Sequence, residues 1–329
     1  MKQQIIIIVG PNASGKTSLS LKIAKKMNGE IISADSRQVY RGLNIGSGKV
    51  TKKEMRGVPH HCLSIANPKK VFTALDFKNC AEKAIADILS RGKTPIIVGG
   101  TGFYIDAVLG RMKLGGVPPN PKLRKKLSHY SLAKLNTTLA KLDPERARTV
   151  EQKNPVRLIR AIEMALAPHT PAPLSLRRRG GLRGGEVKDM LRESLAQRDG
   201  ASRAIRQQAN MRASEKHDPL PKVTWLGIKR KPEELKKRIY KRLIARLPGI
   251  IREVKKLHGD GVSWKRLFEL GLEYRYVSLY LRDKLDYKLM TIQLETAIWH
   301  YAKRQMTWFK KNKDIRWINN PKSISSISL

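Results

Sequence analysis

Ile5-Ile6-Ile7-Ile8-Val9-Gly10-Pro11-Asn12-Ala13-Ser14-Gly15-Lys16-Thr17-Ser18-Leu19 is the stretch on which the reading of this chain turns. The apolar run Ile5 to Val9 predicts a strand, and Ser18 to Ala24 predicts a helix. Strand, G-x-x-x-x-G-K-T and helix in that order make a P-loop. Its glycines let the backbone wrap a phosphate while N–H groups and the helix N-terminus point at it. Lys16 adds a mobile positive charge, and Thr17 offers a hydroxyl to Mg²⁺. Gly10, Pro11, Asn12, Ala13, Ser14, Gly15, Lys16 and Thr17 are therefore the expected binding set. The motif predicts a polyphosphate ligand without saying which one.

Working outward, 329 residues with 40% hydrophobic content are enough for a large α/β domain and a smaller one. Lys+Arg 67 against Asp+Glu 27 gives a net charge of +40. A field of that size points to a polyanionic partner, nucleic acid before an anionic membrane. Cys62 and Cys80 are the only cysteines, so neither a disulfide framework nor a zinc module is expected. No signal peptide precedes the first strand and no apolar stretch approaches the length of a membrane span, so a cytoplasmic protein with no membrane partner is expected.

Glu30 to Ala34 predicts a second buried strand, ending in Asp35-Ser36-Arg37-Gln38. Ligands of open parallel sheets sit beyond the carboxyl ends of strands, which places Asp35 across a crevice from the P-loop as a base or a holder of the metal's water. A turn or capping role is the simpler alternative. Tyr40 to Lys49 reads as a Gly-rich loop, and His60-His61 as structural or substrate-contacting. Phe72 to Ser90 is a helix. Pro95 to Val98 is a strand closed by Gly99-Gly100-Thr101-Gly102, a second glycine turn that feeds the helix Phe103 to Leu109 and offers Thr101 as its one hydroxyl.

The linker Gly115 to Pro121 leads to basic helices through Ala167, where Arg157 and Arg160 share a helical face. Residues 168 to 222 then form a low-complexity, Arg/Gly-rich segment expected to be disordered. Between Pro173 and His217 it holds 11 Lys/Arg and 5 Asp/Glu, a net +6, so most of the +40 belongs to the folded parts. Val223 to Ile228 predicts a strand. Helices follow at Pro232–Leu247, Ile250–His258, Trp264–Leu267, Tyr274–Leu281 and Lys288–Lys310, the last with Leu289, Ile292, Ala297 and Tyr301 on its apolar positions.

Taken together, GPNASGKT, ISADSRQVYRGLNIGSGK, VPHHCLSI, TPIIVGGTGFYIDAVL, NPVRLIRAIE, GLEYR and AKRQMTW resemble the tRNA dimethylallyltransferase (tRNA isopentenyl transferase) family over most of 1–167 and 223–318. The resemblance implies an α/β fold with a P-loop NTPase-like parallel sheet flanked by helices. It divides the chain into a core (1–112 and 223–320), an inserted helical tRNA-binding domain (113–167) and the 168–222 insertion. It implies transfer of a dimethylallyl group from dimethylallyl diphosphate to the N6 amine of the adenosine 3′ of the anticodon, with Mg²⁺. Asp35 would be the general base, Thr101 would contact the oxygen bridging carbon to phosphate, and Arg242 would serve the diphosphate or the catalytic channel. Asp35, Ser36, Arg37, Gln38, Thr101, Arg124, Val156, Arg157, Leu158, Ile159 and Arg160 would meet the anticodon stem-loop. A monomer is expected. The chain ends without the C-terminal zinc finger of eukaryotic members, so a bacterial form is expected. The rival reading is an ATP-dependent small-molecule P-loop kinase, which the basic charge disfavours.

Overall fold

The computed structural model describes residues 4–112, 114, 117–167 and 222–319. Met1–Leu114 with Pro219–Leu329 form one compact unit and Gly115–Asp218 a second. The low-complexity segment 168–222 lies, Lys222 apart, outside the described residues.

The first unit is built on a six-stranded parallel sheet. Its strands are β1 (Gln4–Val9), β2 (Gly29–Ala34), β3 (His60–His61), β4 (Thr94–Gly99), β5 (Lys222–Ile228) and β6 (Arg316–Ile318), in the order β3-β2-β4-β1-β5-β6. A parallel sheet needs crossovers that cover both faces, which is why β1 is apolar at successive positions. Ile6 and Ile8 pack with Leu19 and Ile23 of α1 (Lys16–Lys26) on one face. Ile5, Ile7 and Val9 pack with Phe77 and Ile88 of α3 (Ala74–Ser90) on the other. Each such buried side chain contributes about 1.5–3 kcal/mol. A capping box between Thr73 and Asp76 starts α3. The short helix α2 (Lys52–Met55) is likewise boxed by Thr51 and Glu54, and α4 (Gly102–Val108) follows β4.

The second unit packs α5 (Pro121–Leu127), α6 (Leu132–Leu142), α7 (Pro144–Thr149) and α8 (Pro155–Ala165) around Leu123, Leu127, Leu135, Leu139, Leu158 and Ile162. Its helices start at Asn120, Ser131, Asp143 and Asn154, each side chain accepting from a first-turn N–H.

Four features depart from the sequence reading. The helices expected at Pro232–Leu247 and Ile250–His258 are one, α9 (Pro232–Gly259), with Pro248 inside it. The buried seam Leu243, Leu247, Ile250, Val254 runs through the proline, and packing along it outweighs the one hydrogen bond that proline removes. After α10 (Trp264–Leu270) and α11 (Leu272–Tyr280), α12 (Tyr287–Phe309) buries Met290, Leu294, Ile298, Ala302, Gln305 and Phe309. The face expected to be its apolar stripe is turned elsewhere: Leu289 and Ile292 are exposed, and Ile292, Ala297 and Tyr301 line a cleft. Cys62 and Cys80 are joined to each other across a Cα separation of 6.3 Å. A single cross-link between the turn after β3 and α3 has no spacing signature, so two isolated cysteines gave no sign of it. Finally, β3, β6, α2 and α7 are too short to carry a period.

Candidate active site

The cleft lies beyond the carboxyl ends of β1 and β2, has a volume of about 1360 Å³, and is lined wholly by the first unit; Thr101, after β4, is not among its lining residues. The cleft floor is formed by Asn12 to Thr17 of the loop Gly10–Thr17. Gly10 (φ 149°) and Gly15 (φ 105°) hold positive φ, and a Cβ on Gly10 would meet the Ile228 carbonyl at 2.9 Å. The loop's carbonyls are tied back by cations. Lys16 Nζ donates to Gly10 O (2.9 Å) and Pro11 O (2.8 Å). Arg238 Nε donates to Ala13 O (2.8 Å) and Arg230 Nε to Ser14 O (2.8 Å). With these carbonyls held by cations, the remaining N–H groups and the start of α1 are left for an anion. Ser14 Oγ is fully buried and without a hydrogen-bond partner, a polar atom that a bound ligand would satisfy. Burial lowers the Lys16 pKa to about 8, with Asp35 opposing that shift and Arg242 adding to it.

Asp35 follows β2 directly, as its place after a buried strand required. Its Oδ1 accepts from Arg37 N (2.9 Å) and Gln38 N (3.3 Å). Asp35 therefore makes the turn and lines the cleft at once, one carboxylate oxygen serving the backbone. Thr101 meets it from the neighbouring strand: Thr101 N donates to Ala34 O (3.2 Å) and Thr101 Oγ1 accepts from Ser36 N (3.1 Å). The two strand ends come so close that a Cβ on Gly99 would overlap the Ala34 carbonyl. Ser33 Oγ and Gln38 Oε1 share a hydrogen bond (3.1 Å). Arg37 Nε is buried without a hydrogen-bond partner.

The opposite wall comes from α9, α11 and α12. Arg242 packs against Gly48, where a Cβ would overlap its guanidinium. Arg246 Nη2 donates to Gly46 O (3.0 Å), and burial, helped by Arg242, lowers its pKa. Glu273 sits among these charges: burial raises its carboxyl pKa against Arg246, Arg242 and Arg37. Burial likewise raises the Tyr301 hydroxyl, with the Thr101 side chain and the Arg37 and Arg304 charges opposing that shift. The loop Leu43–Lys49 is filled from behind by Glu253, which accepts from Asn44 N (2.8 Å), Ile45 N (2.6 Å), Gly46 N (3.0 Å) and Tyr274 Oη (2.9 Å).

The structure thus brings together Gly10 to Thr17, Asp35 to Gln38, Thr101 and Arg242. Arg124, Val156, Arg157, Leu158, Ile159 and Arg160 belong to the second unit. There Glu163 is buried and bound by Arg124 (Nε 3.0 Å, Nη2 2.7 Å), by Asn120 N and by Arg160. Burial raises its carboxyl, but these bonds outweigh that and hold it below the ordinary range. Leu158 is 0% exposed and is core, so its side chain offers no surface to a partner, whereas Val156 is 75% exposed. Arg157 pairs with Glu151 (3.0 Å). His60 and His61 are structural: His60 Nδ1 bonds Val58 O (2.8 Å) and His61 Nε2 bonds Glu30 (2.8 Å). Glu30, with Arg91 first and then Lys93 and His61 as partners, is held well below the usual carboxylate range.

Arg230, Arg238, Arg246, Glu253, Glu273, Tyr301 and Gln305 were not singled out from the sequence as site residues. No local signal marked them, since packing alone decides which stripe of α12 is buried and so makes Gln305 a polar residue within it.

Residues 38–312 match the model of the IPP transferase family. A tRNA dimethylallyltransferase 1 of Geotalea uraniireducens is 37% identical over 94% of this chain and 89% of its own length. The crystal structure of a tRNA isopentenylpyrophosphate transferase of Staphylococcus epidermidis superposes with a TM-score of 0.61 at 35% identity, covering 97% of this chain and 93% of that one. Its counterpart from Bacillus halodurans gives 0.63 at 30% identity, covering 97% and 90%. A parallel sheet with a phosphate loop at its edge, a carboxylate across the crevice and these extended matches lead to one conclusion: the chain belongs to the IPP transferase family.

Proposed function

We propose that this cleft transfers a dimethylallyl group from dimethylallyl diphosphate to the exocyclic amine of the adenosine 3′ of the anticodon in tRNA, releasing diphosphate. The observation that carries this reading is that Asp35 and the phosphate loop line one cleft, with Thr101 tied to the Asp35 turn through its Oγ1, 3.1 Å from Ser36 N. On this reading a base and a diphosphate cradle share the cleft, with a hydroxyl one hydrogen bond from the turn that carries the base. The amine nitrogen bonds the allylic carbon as the carbon–oxygen bond breaks, and that electron pair leaves on diphosphate. Asp35 takes the proton the nitrogen sheds. Lys16 and the loop N–H groups stabilise the charge on the departing diphosphate. Thr101, held by Ser36 N, is the hydroxyl assigned to the bridging oxygen. The nucleotide must leave its stack to enter the cleft, as for other enzymes that modify a base.

Among the described residues no group of three or more His, Cys, Asp or Glu could hold a metal ion. The oxygen donors here, the Thr17 hydroxyl with Asp35 nearby, fit Mg²⁺ that completes its shell with phosphate oxygens and water. Such an ion would supply further positive charge to the leaving group. In the second unit, Val156 and Arg157 are the surface positions best suited to touch tRNA, with the outer edges of Arg124 and Arg160 beside them. Among the described residues no helix is long and apolar enough to cross a membrane.

The test is to incubate unmodified tRNA with labelled dimethylallyl diphosphate and Mg²⁺, omitting ATP. Label in tRNA is the expected result; ATP turnover without transfer would overturn it.

A further inference from the structure

Gln305 is 4% exposed, and its amide is the only side-chain amide among the buried residues of α12. A buried amide is tolerated when both ends are hydrogen-bonded, and here they are. Gln305 Oε1 accepts from Asn12 N (2.9 Å), while Nε2 donates to Gly100 O (3.1 Å) and Asn12 Oδ1 (3.3 Å). One side chain thus joins the P-loop to the turn that carries Thr101. The fit is close enough that a Cβ on Gly100 would overlap the amide. Three residues on, Trp308 covers Gly102, where a Cβ would overlap the indole, and Trp308 Nε1 donates to Asp106 Oδ2 (2.9 Å). The last turns of α12 therefore account for two glycines of the second turn. Gln305 also takes up the Asn12 N–H, which leaves the anion to the donors that follow it.

We infer that Gln305 is a positioning residue for the transfer reaction, its amide fixing the Asn12 peptide of the phosphate loop at a set spacing from the Gly100–Thr101 turn. The inference rests on the diphosphate reading of the cleft above. Packing alone would be served by leucine at this place in the stripe; the amide is explained by the two loops it bonds.

The experiment compares full-length wild type, Gln305→Glu and Gln305→Leu by calorimetric binding of inorganic diphosphate with Mg²⁺ and by gel-shift binding of tRNA, from pH 5.5 to 8. A glutamate is isosteric, but its ionised form has no proton for Gly100 O and sets a negative charge beside the cradle. At pH 8 it should weaken diphosphate binding roughly tenfold to a hundredfold, with tRNA affinity within about twofold of wild type. As pH falls the carboxyl regains a donor, so the variant-to-wild-type ratio of diphosphate Kd should shrink. Gln305→Leu should show the same loss without recovery, and it decides the matter where the glutamate variant does not fold. Wild-type diphosphate affinity in the leucine variant would overturn the inference, as would parallel, pH-independent losses for diphosphate and tRNA in both variants. Failure of the wild type itself to bind diphosphate would instead overturn the reading of the cleft.

Discussion

Asp35 shows how one carboxylate divides its work. Its Oδ1 serves the Arg37 and Gln38 N–H groups, and an asparagine Oδ1 accepts those same bonds. Asp35→Asn should therefore fold and bind tRNA as wild type does while kcat falls by about 10²–10⁴, the usual worth of a general base. Single-turnover transfer measured beside tRNA affinity checks this; a tRNA Kd that rises as far as kcat falls would make Asp35 a recognition residue instead. Lys16 offers a second test. Its pKa is lowered to about 8, burial being the largest cause, so the free protein loses this ammonium as pH rises through 8. The unfolded chain holds the proton more tightly, and this lysine's contribution to stability grows from about pH 8 towards 10.5. A bound diphosphate favours the charged form, so binding above pH 8 must take up a proton. Calorimetry in buffers of different ionisation enthalpy should show more net proton uptake on binding at pH 9 than at pH 7, because the free lysine has lost its proton above about 8. No difference between the two would remove Lys16 as the titrating group.

At the scale of elements, α9 and α12 do more than cover the sheet. Along α9, Arg238 holds Ala13 O, Arg246 holds Gly46 O, and Glu253 fills the loop Leu43–Lys49 with three backbone N–H groups and Tyr274 Oη on one carboxylate. Removing that carboxylate takes from these donors the one acceptor they share, and Gly46 N and Tyr274 Oη are the buried ones among them. Glu253→Ala should cost about 2–3 kcal/mol, read as a lower urea midpoint, and Glu253→Gln less, because its amide oxygen still accepts. An unchanged midpoint for Glu253→Ala would show that the loop holds itself. The same two helices mark where sequence reading reached its limit. Leu289, Ile292, Ala297 and Tyr301 have helical spacing, as does the stripe Met290, Leu294, Ile298, Ala302. Both periods suit one helix, and only packing decides that the second is core while Ile292, Ala297 and Tyr301 face the cleft. Pro248 is a parallel case: its local preference ends a helix, and the seam on either side continues it.

At the scale of the molecule, the parallel sheet, the phosphate loop and the position of Asp35 were legible because each is a local pattern of adjacent residues. An apolar run, a glycine-framed turn and a residue just past a strand are short-range facts, and strand ends of a parallel sheet meet at one edge. Thr101 followed for the same reason. The basic character was also plain from composition, although the structure ties part of it to the protein's own acceptors: Arg124 and Arg160 on Glu163, Arg230 and Arg238 on the phosphate loop. What the sequence by itself determined is therefore the glycine-framed loop, the carboxylate across from it and the polyanionic partner. Only the tertiary structure decided what holds them in register. Gln305 meets Asn12 across 293 residues, Arg230 meets Ser14 across 216 and Glu253 meets Asn44 across 209. A hydrogen bond spanning such a separation leaves no period and no motif, since it is chosen by which helix face the whole core turns toward the loop.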